Sequence, residues 1–174
     1  MTDALDRSGV LGLDPGSKHA GYALAFFRGE EVVDLELGRW SVPARLGRAE
    51  GLAWLLDHCQ EWLAIHRPVV AAVETPFHHR NARSVLVLAE ARGVLLASLG
   101  RAGVAVHEYS PAVVKKTICG AGGADKEQVR RALAMTVRGL RRFAIDSAPL
   151  DATDALALAV THHVHARLGT AGGR

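Results

Sequence analysis

The sequence predicts a single α/β domain built on a five-stranded mixed sheet, three antiparallel strands followed by two parallel ones, with helices on both faces. Three observations predict it. Strand-like runs joined by tight turns fill residues 10–42. From residue 44 onward amphipathic helices alternate with strands, the pattern of parallel crossovers. Two runs, Val10–Leu13 and Val69–Val73, are apolar throughout, as strands buried on both faces are, and each is followed directly by an acid.

The first strand is Val10–Asp14, with Gly12 permitting close backbone approach. Asp14 stands where the apolar run stops, and Pro15-Gly16 is turn chemistry, Pro fixing φ and Gly supplying φ > 0. Taken alone, Asp14 serves equally well as an Asx turn cap. Gly21–Phe27 is the second strand and Arg28-Gly29-Glu30 a hairpin turn. Glu31–Val42 alternates Val33, Leu35 and Leu37 with Asp34 and Glu36, a half-exposed third strand that Pro43 ends.

Ala44–His66 reads as a long helix with Leu46, Leu52, Leu55, Leu56, Cys59, Trp62 and Leu63 at helical spacing, stopped by Arg67-Pro68. Val69–Val73 follows and ends in Glu74, repeating the arrangement at Asp14. In open α/β sheets ligand chemistry collects at such C-terminal strand ends, although a single acid there is more often a plain strand-end residue. Phe77–Arg83 is a polar, basic loop carrying one aromatic. Ser84–Ala97 is a helix with Leu86, Leu88, Val94 and Leu95 inward, and Val104–Tyr109 is an alternating fifth strand. Ser110-Pro111 pairs an N-cap residue with Pro at the first helical position, opening a helix through Ile118. Gly120–Gly123 is a loop, Asp125–Arg138 a helix with a basic face, and the Ala-rich stretch from Leu150 a strong helix. Its Asp151 and Asp154, at i and i+3, share one face of the first turn. Helix-dipole stabilisation accounts for acids at that position but is silent on Asp14 and Glu74. His162, His163 and His165 read as helix-end polar residues, His162 lying roughly 16 Å along the helix from Asp151. Residues 9–167 form the domain, with residues 1–8 and 168–174 as loose ends.

Of 174 residues, 49% are hydrophobic and 22% charged, a balance that argues against disorder. The net charge of +3 is modest, but Lys115–Arg142 carries eight basic residues against Asp125 and Glu127, which leaves the remainder acidic. Such a block suits a polyanionic partner; a solvated helix face explains it about as well on its own. Cys59 and Cys119 give neither a disulfide framework nor a metal spacing, and no secretory or membrane-spanning run is present, so a soluble cytoplasmic protein with no membrane partner is expected.

The order of elements resembles the ribonuclease H-like fold. That likeness implies a central first strand, the strand ending in Glu74 beside it, and a last helix that brings Asp151 and Asp154 over the same spot. Two like charges about 4 Å apart repel by roughly 4 kcal/mol at an effective dielectric near 20, so four carboxylates there need protons or cations. Oxygen ligands with open positions favour Mg²⁺, with Mn²⁺ plausible, and paired hard cations serve in-line phosphoryl displacement. Asp14, on the central strand, is best placed to bridge two ions.

The resemblance then becomes specific. Leu11-Gly12-Leu13-Asp14-Pro15-Gly16-Ser17, Glu74 followed by Phe77 and Asn81, Ala91-Arg92-Gly93, Val114-Lys115-Lys116-Thr117-Ile118-Cys119-Gly120-Ala121-Gly122, Ala124-Asp125-Lys126-Glu127-Gln128-Val129 and Asp151-Ala152-Thr153-Asp154-Ala155-Leu156-Ala157 occur in the order found in the RuvC family of Holliday junction resolvases. The match spans about residues 9–166. It implies a homodimeric endonuclease that resolves four-way DNA junctions by paired symmetric nicks during recombination and repair. Each nick leaves 5′ phosphate and 3′ hydroxyl ends and uses two Mg²⁺ per subunit, and the RuvA–RuvB branch-migration complex is the implied partner. Asp14, Glu74, Asp151 and Asp154 match the catalytic, metal-binding acids. Phe77 and Asn81 match loop positions, Phe77 an aromatic used at the junction centre; a stacked base is worth about 1–3 kcal/mol. Lys115 and Lys126 match basic positions near the cut. Arg80, Lys116 and Arg130 are added as DNA contacts from charge and placement. Ala89-Glu90 departs from the family's usual Gly-Gln, and His78-His79-Arg80 fills the loop unusually. The alternatives are an actin-like ATPase, a related RNA-processing nuclease with the same acids, and a junction-binding module without activity.

Overall fold

The computed structural model describes residues 9–75 and 82–171. Five strands, β1 (Val10–Asp14), β2 (His19–Arg28), β3 (Glu31–Ser41), β4 (Val70–Glu74) and β5 (Ala105–Tyr109), form one sheet in the order β3-β2-β1-β4-β5. β1 pairs antiparallel with β2 and β2 with β3, while β4 runs parallel to β1 and β5 parallel to β4. The first strand is therefore central and β4 lies beside it, as the order of elements implies.

Helices α1 (Arg48–His66) and α2 (Ala82–Arg101) cover one face; α3 (Pro111–Cys119), α4 (Lys126–Thr136) and α5 (Leu150–Ala171) cover the other. Period-2 alternation divides each central strand between two cores. Leu11, Leu13, Ala71 and Val73 pack with Leu55, Cys59, Leu95 and Leu99 on the α1/α2 face. Val10 and Ala72 pack on the opposite face with Val129, Leu133, Leu156 and Leu158. Burying a leucine such as Leu156 stabilises by about 2 kcal/mol. α5 is buried without a break from Ala155 to His162, sandwiched between the sheet and α3/α4. Both cysteines are free, Cys59 within the core. No helix among the described residues is long and apolar enough to cross a membrane.

Several boundaries differ from the sequence reading, each for a local reason. α1 begins at Arg48, not Ala44, because Glu50 turns back to accept the Gly47 amide at 2.8 Å, which leaves Leu46 ahead of the helix. α2 runs four residues past Ala97. Its Leu86 is exposed, since nine residues, or about 180° of helix, separate it from fully buried Leu95. α4 starts at Lys126 and ends at Thr136, with Asp125 as its cap: Asp125 accepts from the Gln128 amide and Gln128 from the Asp125 amide, both at 2.8 Å. β5 is exposed over Ala105–Glu108 instead of half-buried, because it is the sheet's last strand and has a neighbour on one side only. α5 continues to Ala171, so residues 168–171 are helical and the histidines stand within the helix. The proposed Ser110 cap and the Pro111 start hold, Ser110 accepting from the Val113 amide at 3.3 Å. Glu90 forms a two-pronged ion pair with Arg48, one contact at 2.6 Å, tying α2 to the start of α1.

Candidate active site

Strand parity aims the first two acids. Counting along β1, Asp14 falls on the same face as Val10 and Gly12; along β4, Glu74 falls with Val70 and Ala72. Both therefore address the α5 face. The parallel register pairs Leu13 with Val73, so Asp14 and Glu74 come next, side by side on strands about 4.8 Å apart.

Two glycines bring the second pair of acids to them. A Cβ on Gly12 would stand 1.8 Å from the Ala155 carbonyl oxygen, and one on Gly21 would stand 1.9 Å from that of Asp151. The backbone of α5 thus lies directly on β1 and β2 at positions where no side chain fits. Gly21 is the register partner of Asp14. The first turn of α5 is accordingly laid across the end of β1, with Asp151 above Gly21 and Asp154 one turn further in.

Asp14, Glu74 and Asp154 line one cleft of about 380 Å³, with Lys115 and Lys126 among its walls and Arg92 at the α2 side. Lys126 forms an ion pair with Asp154. Asp151 meets Arg39 of β3 at 3.7 Å. Among the described residues no three carboxylate, thiol or imidazole groups form a ready-made metal cage; two of the four acids hold a cationic side chain instead. Burial, then the charges of Asp154 and Glu74, push the Asp14 carboxyl up to about 8; Lys126 offsets part of this and Asp151 adds to it. Burial works against the Lys126 ammonium, but its hydrogen bond to Asp154 and the charges of Asp154, Asp14 and Asp151 hold its pKa above the ordinary lysine value. Three acids and three cations, Arg92, Lys115 and Lys126, line the cleft. Its donor set is all oxygen and suits a hard divalent cation.

The remaining candidates separate. Lys115 lines the cleft, whereas Lys116, a further 100° around α3, is exposed outside it. Arg130 is not brought to the cleft: it forms a two-pronged pair with Glu127 at 2.9 Å and donates to the Asp146 carbonyl at 3.1 Å, anchoring the 3₁₀ turn Ile145–Ser147. Phe77, Arg80 and Asn81, with His78 and His79, lie outside the described residues. The other histidines are packing groups. His162 meets the Tyr109 hydroxyl at 3.0 Å and lies beside the ring of His107. His163 stacks on Phe27 and reaches the Gly29 carbonyl at 2.7 Å, and His165 meets Thr117 at 3.1 Å.

Arg39 and Arg92 reach the site without having been assigned to it from sequence. Arg39 sits on a strand with no motif, and its place opposite Gly21 is set by the β2–β3 register, for which the sequence carries no signal. Arg92 belongs to a quoted motif, but its role depends on how α2 crosses the strand ends.

Acids from two parallel strand ends and one crossing helix, walled by lysines, on a sheet of this order place the protein among the nucleases of the ribonuclease H-like fold. A family model described as crossover junction endodeoxyribonuclease RuvC matches residues 10–162. The RuvC of Sorangium cellulosum is 41% identical over 153 residues, covering 88% of this chain and 83% of its own. That of Zymomonas mobilis is 40% identical over 157 residues, covering 90% and 91%. The structure of Thermus thermophilus RuvC in complex with Holliday junction substrate superposes with a TM-score of 0.79 at 30% identity, covering 94% of this chain and 97% of the other. The chain belongs to the RuvC family of crossover junction endodeoxyribonucleases, which displaces the actin-like ATPase alternative.

Proposed function

We propose that this crossover junction endodeoxyribonuclease resolves four-way DNA junctions by metal-ion hydrolysis at the cleft of Asp14, Glu74, Asp151 and Asp154. The observation that carries the reading is the meeting of Asp14, Glu74 and Asp154 in one cleft, with Asp151 close enough to raise the Asp14 pKa. The four acids would hold divalent cations, two Mg²⁺ with Mn²⁺ as a substitute, which would lower the pKa of a bound water and offset charge on the leaving 3′ oxygen. Asp14 stands between the strand-end acid and the helix acids and, with them, would hold the cations. Lys115 and Lys126, on adjacent walls, hold the scissile phosphate and lower the charge of the approaching strand. Phe77 engages the junction centre, and Arg80 and Asn81 contact the DNA. A four-way junction presents two equivalent strands, so two copies of the chain acting as a homodimer give paired nicks, one per subunit. The RuvA–RuvB complex is the partner that presents the junction, and the setting is cytoplasmic.

Cleavage of a synthetic four-way junction tests this. With Mg²⁺, paired nicks bearing 5′ phosphate and 3′ hydroxyl ends are expected, and none in EDTA. Cutting that persists in EDTA, or structured RNA cut in preference to the junction, refutes it.

Two further outcomes follow from the cleft. Lys115→Ala and Lys126→Ala should weaken junction binding and each reduce the slope of log K against log salt by about 1. Unchanged slopes remove these lysines from the DNA surface. The second outcome concerns pH. An acid whose folded pKa lies above its unfolded value holds its proton better when folded, so cation-free stability falls as pH rises from about 4 to about 8. A divalent cation relieves that cost. Mg²⁺ should therefore raise Tm more at about pH 8 than at about pH 5.5. Equal shifts at both pH values would mean that the cation acts away from Asp14.

A further inference from the structure

Arg92 reaches the cleft from α2 with only 14% of its side chain exposed. Its Nε donates to the backbone carbonyl of Glu74 at 3.2 Å, and its buried Nη2 lies 2.7 Å from Glu108 of β5 as an ion pair, without a hydrogen bond of its own among the described residues. On the next residue, the Thr75 amide donates to the Tyr109 carbonyl at 2.9 Å. The last peptide of β4 is thus held from α2 and from β5 at the point where strand pairing ends and the Glu74 side chain must be aimed.

We propose that Arg92 is a positioning residue for Glu74: one planar guanidinium ties the Glu74 carbonyl to Glu108, fixing the strand end from which the Glu74 carboxylate reaches into the cleft. This rests on the reading of Glu74 as a metal-holding acid. The chemistry requires arginine. The Nε–H serves the carbonyl on one strand while Nη2, fixed in the same plane, sets the positive charge beside a carboxylate on the next, whereas a lysine ammonium is a single point of charge and cannot span them. Glu108 absorbs the positive charge of the guanidinium, so Arg92 holds the strand end without acting as a free cation toward DNA. Partners one step removed from a metal change its affinity by about 10–100-fold when altered, because they set where the ligand oxygens stand.

The full-length protein carries the test, through Arg92→Lys, Glu108→Gln and Glu74→Gln. Three readouts are needed: Mn²⁺ binding to the DNA-free protein by calorimetry, junction affinity in EDTA at several salt concentrations, and kcat and KM for junction cleavage. Arg92→Lys should weaken Mn²⁺ binding by about tenfold and lower kcat by a similar factor, with junction affinity and salt slope unchanged within about twofold. Glu108→Gln should move the same quantities in the same direction by about threefold, and it decides the matter if Arg92→Lys does not fold. Wild-type Mn²⁺ affinity and kcat in both variants overturn the proposal. So does a loss of junction affinity with a flattened salt slope and unaltered Mn²⁺ binding, which makes Arg92 a phosphate contact. Glu74→Gln separates the two levels. If it is inactive while the other variants behave as wild type, only the role of Arg92 falls; if it cleaves normally, the reading of Glu74 falls and the role of Arg92 with it.

Discussion

Asp14→Asn should lower kcat for junction cleavage by at least about 10³-fold while leaving junction affinity within about threefold. The two effects separate because the charge at position 14 and the cations that meet DNA come from different elements. Asp14 ends the central strand, beside Glu74 and beneath the first turn of α5. Lys115 and Lys126 stand on α3 and α4. An amide is close to isosteric with the carboxylate but supplies no negative charge to a cation. The same substitution should raise Tm of the cation-free protein near pH 8. Its carboxyl, pushed up to about 8 by burial and by neighbouring acids, is costly to ionise there, and an amide removes that cost. The gain should shrink as pH falls toward 4, where the wild-type carboxyl is already protonated in the fold. An Asp14→Asn protein that still nicks junctions, or one that is less stable than wild type at pH 8, contradicts this account of the cleft.

The second large effect comes from a residue with no functional group. Gly12→Ala should destabilise by about 3 kcal/mol, or about 6–12 °C in Tm, because the new Cβ would meet the Ala155 carbonyl at 1.8 Å. Relief requires the buried helix α5 to lift off the sheet, and Asp151 and Asp154 move with it. Gly21→Ala, whose Cβ would stand 1.9 Å from the Asp151 carbonyl, acts nearer the acids and should reduce cleavage out of proportion to its loss of stability. Gly100→Ala is the control: nothing stands within 4 Å of the added carbon, so it should be neutral or stabilise by up to about 1 kcal/mol. Thermal melts set beside cleavage rates on the three variants check the order. Wild-type stability in Gly12→Ala would show that α5 does not rest on β1 as described.

Much of this site was legible in the sequence because strand chemistry is local. An unbroken apolar run followed by an acid and then a proline marks Asp14 and Glu74 without any knowledge of their neighbours. The i, i+3 spacing marks Asp151 and Asp154 as a pair. Gly12 could be recognised as a close approach, but what approaches it could not, since Ala155 is distant in the chain. Arg130 shows the opposite case. Its charge and its place on a basic helix suggested DNA; Glu127 one turn away and the Asp146 carbonyl, on a 3₁₀ turn that sequence periodicity does not reveal, hold it outside the cleft. Leu86 was assigned inward by its type, although phase relative to Leu95 places it outward. The histidines of α5 looked terminal because the glycine at position 169 suggested an end, whereas the helix runs on to Ala171 and His162 and His165 meet β5 and α3 from within it. Arg39 needed the register of β2 and β3, which becomes visible only when the sheet is assembled.

The most direct measurement is a crystal of the protein soaked in Mn²⁺ and examined by anomalous scattering. The account predicts cation density in the cleft, about 2.0–2.2 Å from carboxylate oxygens of Asp14 and of at least one of Glu74, Asp151 and Asp154, with the Lys126–Asp154 or Arg39–Asp151 pair opened to admit it. Cations held by His107, His162 or His165, with the four acids left bare, would contradict it.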